Sequence, residues 1–269
     1  MSGTFNFYGP QYGRFSSDLA IALRREVYGD DIGQQGWRTL DEQRDIVEML
    51  RVTRGSHLLD IACGSGGPVL ALIGQTGCRV TGLDVEAAGI AHARAEADRR
   101  GLADRAVFGV ADCGRPLSFP DAAFDAIACI DAICHLPNRY GVIAEWGRLL
   151  APGARLVFSD PAVCTGPIAK SELDIRASAG FFLLVPPGVN EDAIERAHLA
   201  LRHSEDRTAA AAEIAARWHA ARSRHAAELQ REEGEAWFEQ RQQFLGMTAE
   251  LSLSRRLSRL FYVAEKCRE

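Results

Sequence analysis

Five short apolar runs, separated by helix-like sequence, are the feature that most limits the folds open to this chain. In chain order they are Leu58 to Cys63, Arg79 to Leu83, Ala106 to Ala111, Phe124 to Ile130 and Arg155 to Ser159. Because each run is apolar at successive rather than alternate positions, helices should cover both faces of the corresponding strand. The alternation therefore predicts an α/β protein with a doubly wound, mostly parallel sheet.

Helical spacing marks further segments around these runs. They are Ser16 to Val27, Thr39 to Leu50, Ala87 to Arg100 and Tyr140 to Leu150. The first two precede the first strand, and Thr39 with Glu42 predicts a capping box at the start of the second. We expect residues 1–52 to form an N-terminal helical lid and residues 53–160 to form the ligand-binding core.

The pattern changes after Asp160. Four prolines surround an apolar run at residues 181–185, which predicts a cap over a pocket, followed by a short helix opened by Asn190. One long amphipathic helix is predicted over residues 208–230 and another over 235–250. Two further strands are predicted at Leu199 to His203 and Leu257 to Ala264. They would form an antiparallel pair at the edge of the sheet and bring it to seven strands. Residues 161–269 are thus predicted to supply cap helices and the last two strands.

Length, charge and cysteine usage argue against several classes of protein. The 269 residues can bury a large core, and no apolar run approaches the roughly 20 residues of a spanning helix. The first ten residues do not resemble a signal peptide, so we expect a cytoplasmic protein without a membrane span. A net charge of -5 argues against a broad nucleic-acid surface. The seven cysteines contain no C-x-x-C pair, and no metal site is predicted.

The sharpest chemical signal is the glycine-rich turn that follows the first run, L-L-D-I-A-C-G-S-G-G-P. Gly64 and Gly66 remove side chains where the backbone must approach a ligand, and the amides at the start of the next helix point toward it. A dinucleotide cradle would place a third glycine where Val69 stands, and it has no use for Asp60. The turn therefore favours a cationic ligand. A nicotinamide-dependent oxidoreductase and a non-catalytic cofactor-binding subunit remain as alternatives.

The D-x-x-x-G-x-G run resembles motif I of the class I S-adenosylmethionine-dependent methyltransferases. Four further segments resemble motifs of this family in the expected order, and the resemblance covers about residues 55–160. These segments are Val80 to Val85, Val110 to Cys113, Phe124 to His135 and Leu149 to Ala154. Among its branches, the chain is similar to the glycine, sarcosine and phosphoethanolamine methyltransferases and their natural-product relatives. The resemblance implies a Rossmann-like sheet, S-adenosyl-L-methionine as cofactor and S-adenosyl-L-homocysteine as product.

The resemblance also implies a set of cofactor-binding residues. Asp84, at the end of the second run, would bind both ribose hydroxyls, a bidentate arrangement that suits one carboxylate. Asp112 would accept from the adenine amino group, and the amide of Cys113 would reach the ring. The remaining members of the predicted cofactor site are Asp60, Gly64, Gly66, Val85, Ile130 and Tyr12.

On the acceptor side, the resemblance places Gln34, Trp37 and His135 beside the substrate. Methyl transfer from a sulfonium is an in-line displacement, so the protein mainly has to align the reacting atoms in a dry pocket. His135 could remove a proton from a hydroxyl or amine acceptor, or it could simply line the pocket. The aromatic residues within 5–15 suit either a lid that faces a sulfonium or an apolar anchor for the terminus.

The identity of the acceptor stays open. The extra helices favour a small molecule methylated on an O, N or C atom. A second reading is methyl esterification of a carboxylate on a short peptide or lipid-like acid, held by Arg14, Arg38 or Arg176. Either a monomer or a homodimer fits the sequence. Arg255, Arg256 and Arg259 are expected at the surface, paired with nearby acids.

Overall fold

In a computed structural model, which describes residues 8–268, seven strands form one sheet in the order β3-β2-β1-β4-β5-β7-β6. Strands β1 to β5 pair in parallel, and β7 runs antiparallel between β5 and β6. The predicted Rossmann-like, seven-stranded α/β fold is confirmed. The strands are β1 (His57–Ile61), β2 (Arg79–Asp84), β3 (Ala106–Val110), β4 (Phe124–Cys129), β5 (Leu150–Cys164), β6 (Leu199–Asp206) and β7 (Leu257–Lys266).

Helices flank the sheet on both faces, because neighbouring strand residues point to opposite sides. Leu58 packs with residues of α3, α4 and α5, whereas Leu59 packs with residues of α6 and α8. The described helices are α1 (Tyr8–Gly13), α2 (Asp18–Tyr28), α3 (Leu40–Leu50), α4 (Gly67–Thr76), α5 (Ala87–Arg99), α6 (Arg139–Leu149), α7 (Lys170–Arg176), α8 (Val189–Arg196), α9 (Thr208–Arg224), α10 (Ala226–Glu233) and α11 (Glu235–Leu253). Within residues 8–268, no helix is both long enough and apolar enough to cross a membrane.

A third apolar cluster lies away from the sheet and joins the N-terminal helices to the C-terminal ones. Val27 of α2 and Trp37 pack there against Ile214 of α9 and Phe244 of α11. This cluster brings residues from both ends of the chain over the carboxyl ends of the strands.

The prediction of one long helix over residues 208–230 is wrong. The helix breaks at His225, which separates α9 from α10. The break allows Glu233 to pair with Arg222, although eleven residues of a straight helix would separate them by about 16 Å along its axis. It also buries Leu229 in the third cluster.

Two predicted helix starts also differ in the structure. The Oγ1 of Thr39 accepts from the amide of Glu42 at 3.0 Å, but the Glu42 carboxylate binds Arg259, so only half of the capping box forms. Asn190 does not open its helix, because α8 begins at Val189 after Gly188. The side-chain Nδ2 of Asn190 instead donates to Oδ2 of Asp160 in the interior, at 3.0 Å.

The three arginines near the C-terminus do not form one surface cluster. Arg255 and Arg256 lie near the surface and pair with acids, as predicted. Arg259 is buried, which corrects the prediction. Its guanidinium donates to both oxygens of Glu42, at 2.8 and 2.5 Å, and its Nε lies 2.6 Å from Oδ1 of Asp131.

Candidate active site

A cavity of about 580 Å³ opens at the carboxyl ends of the parallel strands. The strand order reverses between β1 and β4, and α/β sheets commonly bind ligands at such a point. Residues at or just after the carboxyl ends of β1, β2, β3 and β4 line one end, among them Gly64, Asp84, Asp112 and Ile130. The other end is lined by aromatic side chains of the lid, of the segment between α7 and α8, and of α11, namely Trp37, Phe181, Phe182 and Phe244.

The glycine turn between β1 and α4 adopts a backbone that only glycine takes easily. Gly64 has φ of 58° and Gly66 has φ of 74°. A Cβ at Gly64 would lie 2.5 Å from the hydroxyl oxygen of Tyr12, and one at Gly66 would lie 2.8 Å from Cβ of Ala93. Gly64 thus allows the lid to reach the cavity, whereas Gly66 allows α5 to pack and does not itself line the cavity.

Asp84 lies at the end of β2 with its carboxylate turned toward this turn. Its Oδ2 accepts from the amide of Gly64 at 2.8 Å, and its Oδ1 accepts from the amide of Glu86 at 2.9 Å. Burial raises the pKa of Asp84, while these amides oppose the rise. A carboxylate has about four acceptor positions, so it can still accept from a ligand. Val85, beside it, is 65% exposed and lines the cavity.

The other predicted cofactor residues occupy different depths. Asp112 is exposed on the cavity wall, and its carboxylate accepts from the Gly114 amide and from Arg115 Nε, both at 3.0 Å. Cys113 and Ile130 are buried and also line the cavity. Asp60 lies within β1 and is not among the residues that line the cavity.

The surroundings of Asp60 disfavour the ionised form of its carboxylate. Burial raises its pKa to about 7, and the nearby charge of Arg38 opposes that rise only in part. The negative charge of Asp84 acts in the same direction as burial. Near neutral pH, an added cation would therefore draw Asp60 toward its ionised form.

His135 lies in a short 3₁₀ turn after β4, in contact with the lid and the cap. Its Nδ1 is 2.9 Å from the carbonyl oxygen of Phe181, and its Nε2 is 3.0 Å from the hydroxyl of Tyr8. Since a carbonyl oxygen only accepts, Nδ1 carries the proton and Nε2 accepts from Tyr8. Burial lowers the pKa of His135 to about 4, so the ring is neutral at pH 7. Both ring nitrogens of His135 are thus engaged within the protein.

The three lid residues named from the sequence are placed differently. Tyr12 lies against the glycine turn, and Trp37 lines the aromatic end of the cavity, with its ring centre 6.3 Å from that of Phe244. Gln34 is buried away from the cavity, where its side chain bonds to the amide of Ile32 and the carbonyl of Asp30. Of the aromatic segment 5–15, residues 5–7 lie outside the described residues.

Asp131 lines the cavity but was not among the residues predicted from the sequence. It follows β4 with a φ of 60°, and its Oδ2 accepts from the amide of Trp37 at 2.7 Å. A Cβ at Gly36 would lie 2.7 Å from the same oxygen, so this close approach requires glycine. Asp131 thereby ties the lid to β4 and, through Arg259, to β7. Its position directly after a buried strand is the signal that could have identified it.

The arginines considered for carboxylate binding are also separated. Arg38 and Arg176 line the cavity, whereas Arg14 lines a smaller neighbouring cavity between the N-terminal helices and α9 to α11. Between residues 8 and 268, no group of three His, Cys, Asp or Glu side chains is arranged to hold a metal ion.

Residues 59–158 match the family model described as a methyltransferase domain. The 27-O-demethylrifamycin SV methyltransferase of Amycolatopsis mediterranei is 30% identical over 159 residues, which cover 56% of this chain and 58% of that protein. Methyltransferase GfsG of Streptomyces halstedii is 35% identical over 180 residues, 60% of this chain and 64% of that protein. The matched region thus spans less than two thirds of either relative.

A solved structure resembles the whole fold. The cyclopropane synthase MmaA2 from Mycobacterium tuberculosis has a TM-score of 0.82 and 19% identity, and the match covers 99% of this chain and 100% of that one. At this identity the likeness establishes the fold. The motif order, the fold and the family match agree with the resemblance drawn from the sequence, and residues 59–158 are similar to a methyltransferase domain.

Proposed function

We propose that the chain transfers a methyl group from S-adenosylmethionine to an O, N or C atom of a small-molecule acceptor. The observation that carries this proposal is the continuity of one cavity from Asp84 to the aromatic residues Phe182 and Phe244. Its volume of about 580 Å³ lies within the range of roughly 300–1,000 Å³ that is usual for small-molecule sites. A polar end and an apolar end suit a cofactor and an acceptor held side by side.

In this proposal the cofactor lies along the strand ends. Asp84 accepts from the ribose hydroxyls, and Asp112 with Cys113 holds the adenine. Asp60 provides negative potential behind the glycine turn for the amino group of the methionine part. Tyr12 closes this end from the lid side, where it already contacts the turn.

The acceptor would occupy the aromatic end. Trp37, His135 and Phe182 exclude water there, which favours an in-line displacement because the reacting atoms are held in a dry site. The similarity to a methyltransferase named for 27-O-demethylrifamycin SV supports a small molecule as acceptor. The cytoplasmic location and the choice between monomer and homodimer stay predictions.

Methyl esterification of a carboxylate is the second candidate. It is favoured by Arg176, a buried guanidinium at the acceptor end of the cavity. The two candidates differ in the atom that receives the methyl group. In the second candidate it is a carboxylate oxygen.

A screen for released S-adenosylhomocysteine tests the proposed activity. Phenols, alcohols, amines and carboxylic acids of pocket size would be offered with S-adenosylmethionine, with the Asp84→Ala variant as the inactive control. We expect turnover on at least one small molecule and none in the variant. Turnover only on proteins or nucleic acids would contradict the proposal.

The raised pKa of Asp60 predicts that cofactor binding depends on pH. Only the ionised carboxylate attracts the cofactor's ammonium group, so binding should release a proton from Asp60. Since the pKa of Asp60 is about 7 without ligand, affinity for S-adenosylhomocysteine should fall as the pH is lowered from 7, by up to about tenfold per unit. Calorimetry at several pH values measures this slope. In Asp60→Asn the slope should flatten, and an unchanged slope would exclude Asp60 as its source.

A further inference from the structure

Four of the buried arginines in residues 8–268 each pair with a carboxylate. Arg24 pairs with Asp31, Arg139 with Asp160, Arg222 with Glu233, and Arg259 with Glu42 and Asp131. Removing a guanidinium from water is costly unless a carboxylate and further hydrogen bonds replace the water. Each of these four arginines has at least one carboxylate partner, although Nε and Nη1 of Arg139 have no hydrogen-bond partner of their own. Arg241, also buried, donates to Oε1 of Gln11 at 2.8 Å.

Arg176, the last residue of α7, departs from this pattern. It is 1% exposed, yet its Nε and Nη1 are buried without a hydrogen-bond partner. Within residues 8–268 it forms no ion pair. Burial lowers the pKa of Arg176, while Tyr8, Cys134, Asp160 and Asp131 favour its charge only from a distance.

The immediate neighbours of Arg176 are aromatic rings. Its guanidinium carbon lies 4.2 Å from the ring centre of Phe182 and 4.9 Å from that of Phe244. Ring faces attract a cation, but they do not satisfy its in-plane N–H donors. Arg176 and both rings line the cavity. Oxygen atoms of a ligand in the cavity could therefore reach the guanidinium and accept its hydrogen bonds.

We propose that Arg176 anchors a carboxylate of the acceptor, and that a different atom of the same molecule receives the methyl group. This inference rests on the proposed function and narrows the acceptor to a small organic acid with an apolar or aromatic frame. A guanidinium suits a carboxylate because its planar N–H groups can bind both oxygens. Oxygen lone pairs engaged in this way are poor nucleophiles, which assigns the carboxylate to anchoring rather than to esterification.

The test compares acids with their neutral isosteres. Phenylacetate and 4-phenylbutanoate would be titrated against phenylacetamide and 4-phenylbutanamide by ligand-observed NMR, on protein loaded with S-adenosylhomocysteine. We expect the wild type to bind each acid about 10- to 100-fold more tightly than its amide, as for hydrogen bonds to charged groups. Arg176→Met should abolish the preference, and Arg176→Lys should keep part of it. Arg231→Met, an exposed control on α10, should behave as wild type.

Several results would overturn the proposal. They are equal binding of acid and amide by the wild type, a preference that survives in Arg176→Met, and no saturable binding of either acid. Esterification of the probe acids when the enzyme is supplied with S-adenosylmethionine would overturn the anchoring role and support the second candidate. Because cofactor binding is measured separately, a protein that prefers acids but does not bind S-adenosylhomocysteine would contradict the proposed function alone.

The melting temperature distinguishes a ligand-binding role of Arg176 from a purely structural one. Arg176→Met removes an uncompensated buried cation, so it should melt at the wild-type temperature or above it. Arg259→Met leaves two buried carboxylates without their partner, so it should melt well below. If the melting temperature of Arg176→Met falls as far as that of Arg259→Met, Arg176 is a structural residue and the proposal is wrong.

Discussion

Replacing Asp84 with alanine is expected to weaken S-adenosylhomocysteine binding by at least about 100-fold. Two ribose hydroxyls would lose a charged acceptor, and hydrogen bonds to charged groups contribute about 1.5–3 kcal/mol each. The substitution also frees the amides of Gly64 and Glu86, which hold the shape of the glycine turn. Isothermal calorimetry on wild type and variant measures the loss.

Asp125 provides the matched control for this substitution. Its carboxylate also accepts from a backbone amide, that of His57 at 2.8 Å, but it lies at the start of β4, away from the cavity. Asp125→Ala should therefore leave the affinity unchanged, and Asp84→Asn should lose part of it. An Asp84→Ala protein that is folded and binds as tightly as wild type would remove Asp84 from the cofactor site.

Replacing Arg259 with methionine is expected to lower the free energy of unfolding by about 3–5 kcal/mol. The substitution leaves Glu42 and Asp131 in the interior without their shared cation. For a chain of this size the melting temperature should fall by about 10 °C. Thermal and urea unfolding followed by circular dichroism measure both quantities.

Arg255→Met serves as the reference for the Arg259 substitution. Arg255 pairs with Asp206 at the surface, where an ion pair contributes at most about 1 kcal/mol. Equal stability losses in the two variants would show that the buried network contributes no more than a surface pair. A loss confined to Arg259→Met supports its role in joining α3, β4 and β7.

The strands and the polar end of the site were predictable because their signals are local. An apolar run followed by glycines or by an acid defines a strand and its carboxyl end, and this is enough to place Gly64, Asp84 and Asp112 at one edge of the sheet. Parallel pairing then brings these residues together without further information. The order of strands follows once the family is known.

The contacts between distant segments could not be read from the sequence. Glu42 and Arg259 are 217 positions apart, and each looks like an ordinary surface charge within its own segment. No glycine or proline marks the break at His225, so no local signal predicts the bend that brings Arg222 and Glu233 together. Gln34 was expected in the cavity, but a local turn holds its side chain, and its neighbour Gln35 lines the wall instead.

Titration of the wild-type protein with S-adenosylmethionine and S-adenosylhomocysteine, with NAD in parallel, tests the central claim most directly. The account predicts saturable binding of both adenosyl ligands at one site per chain and no binding of NAD. Binding of NAD without either adenosyl ligand would contradict it and would return the glycine turn to the dinucleotide-binding class.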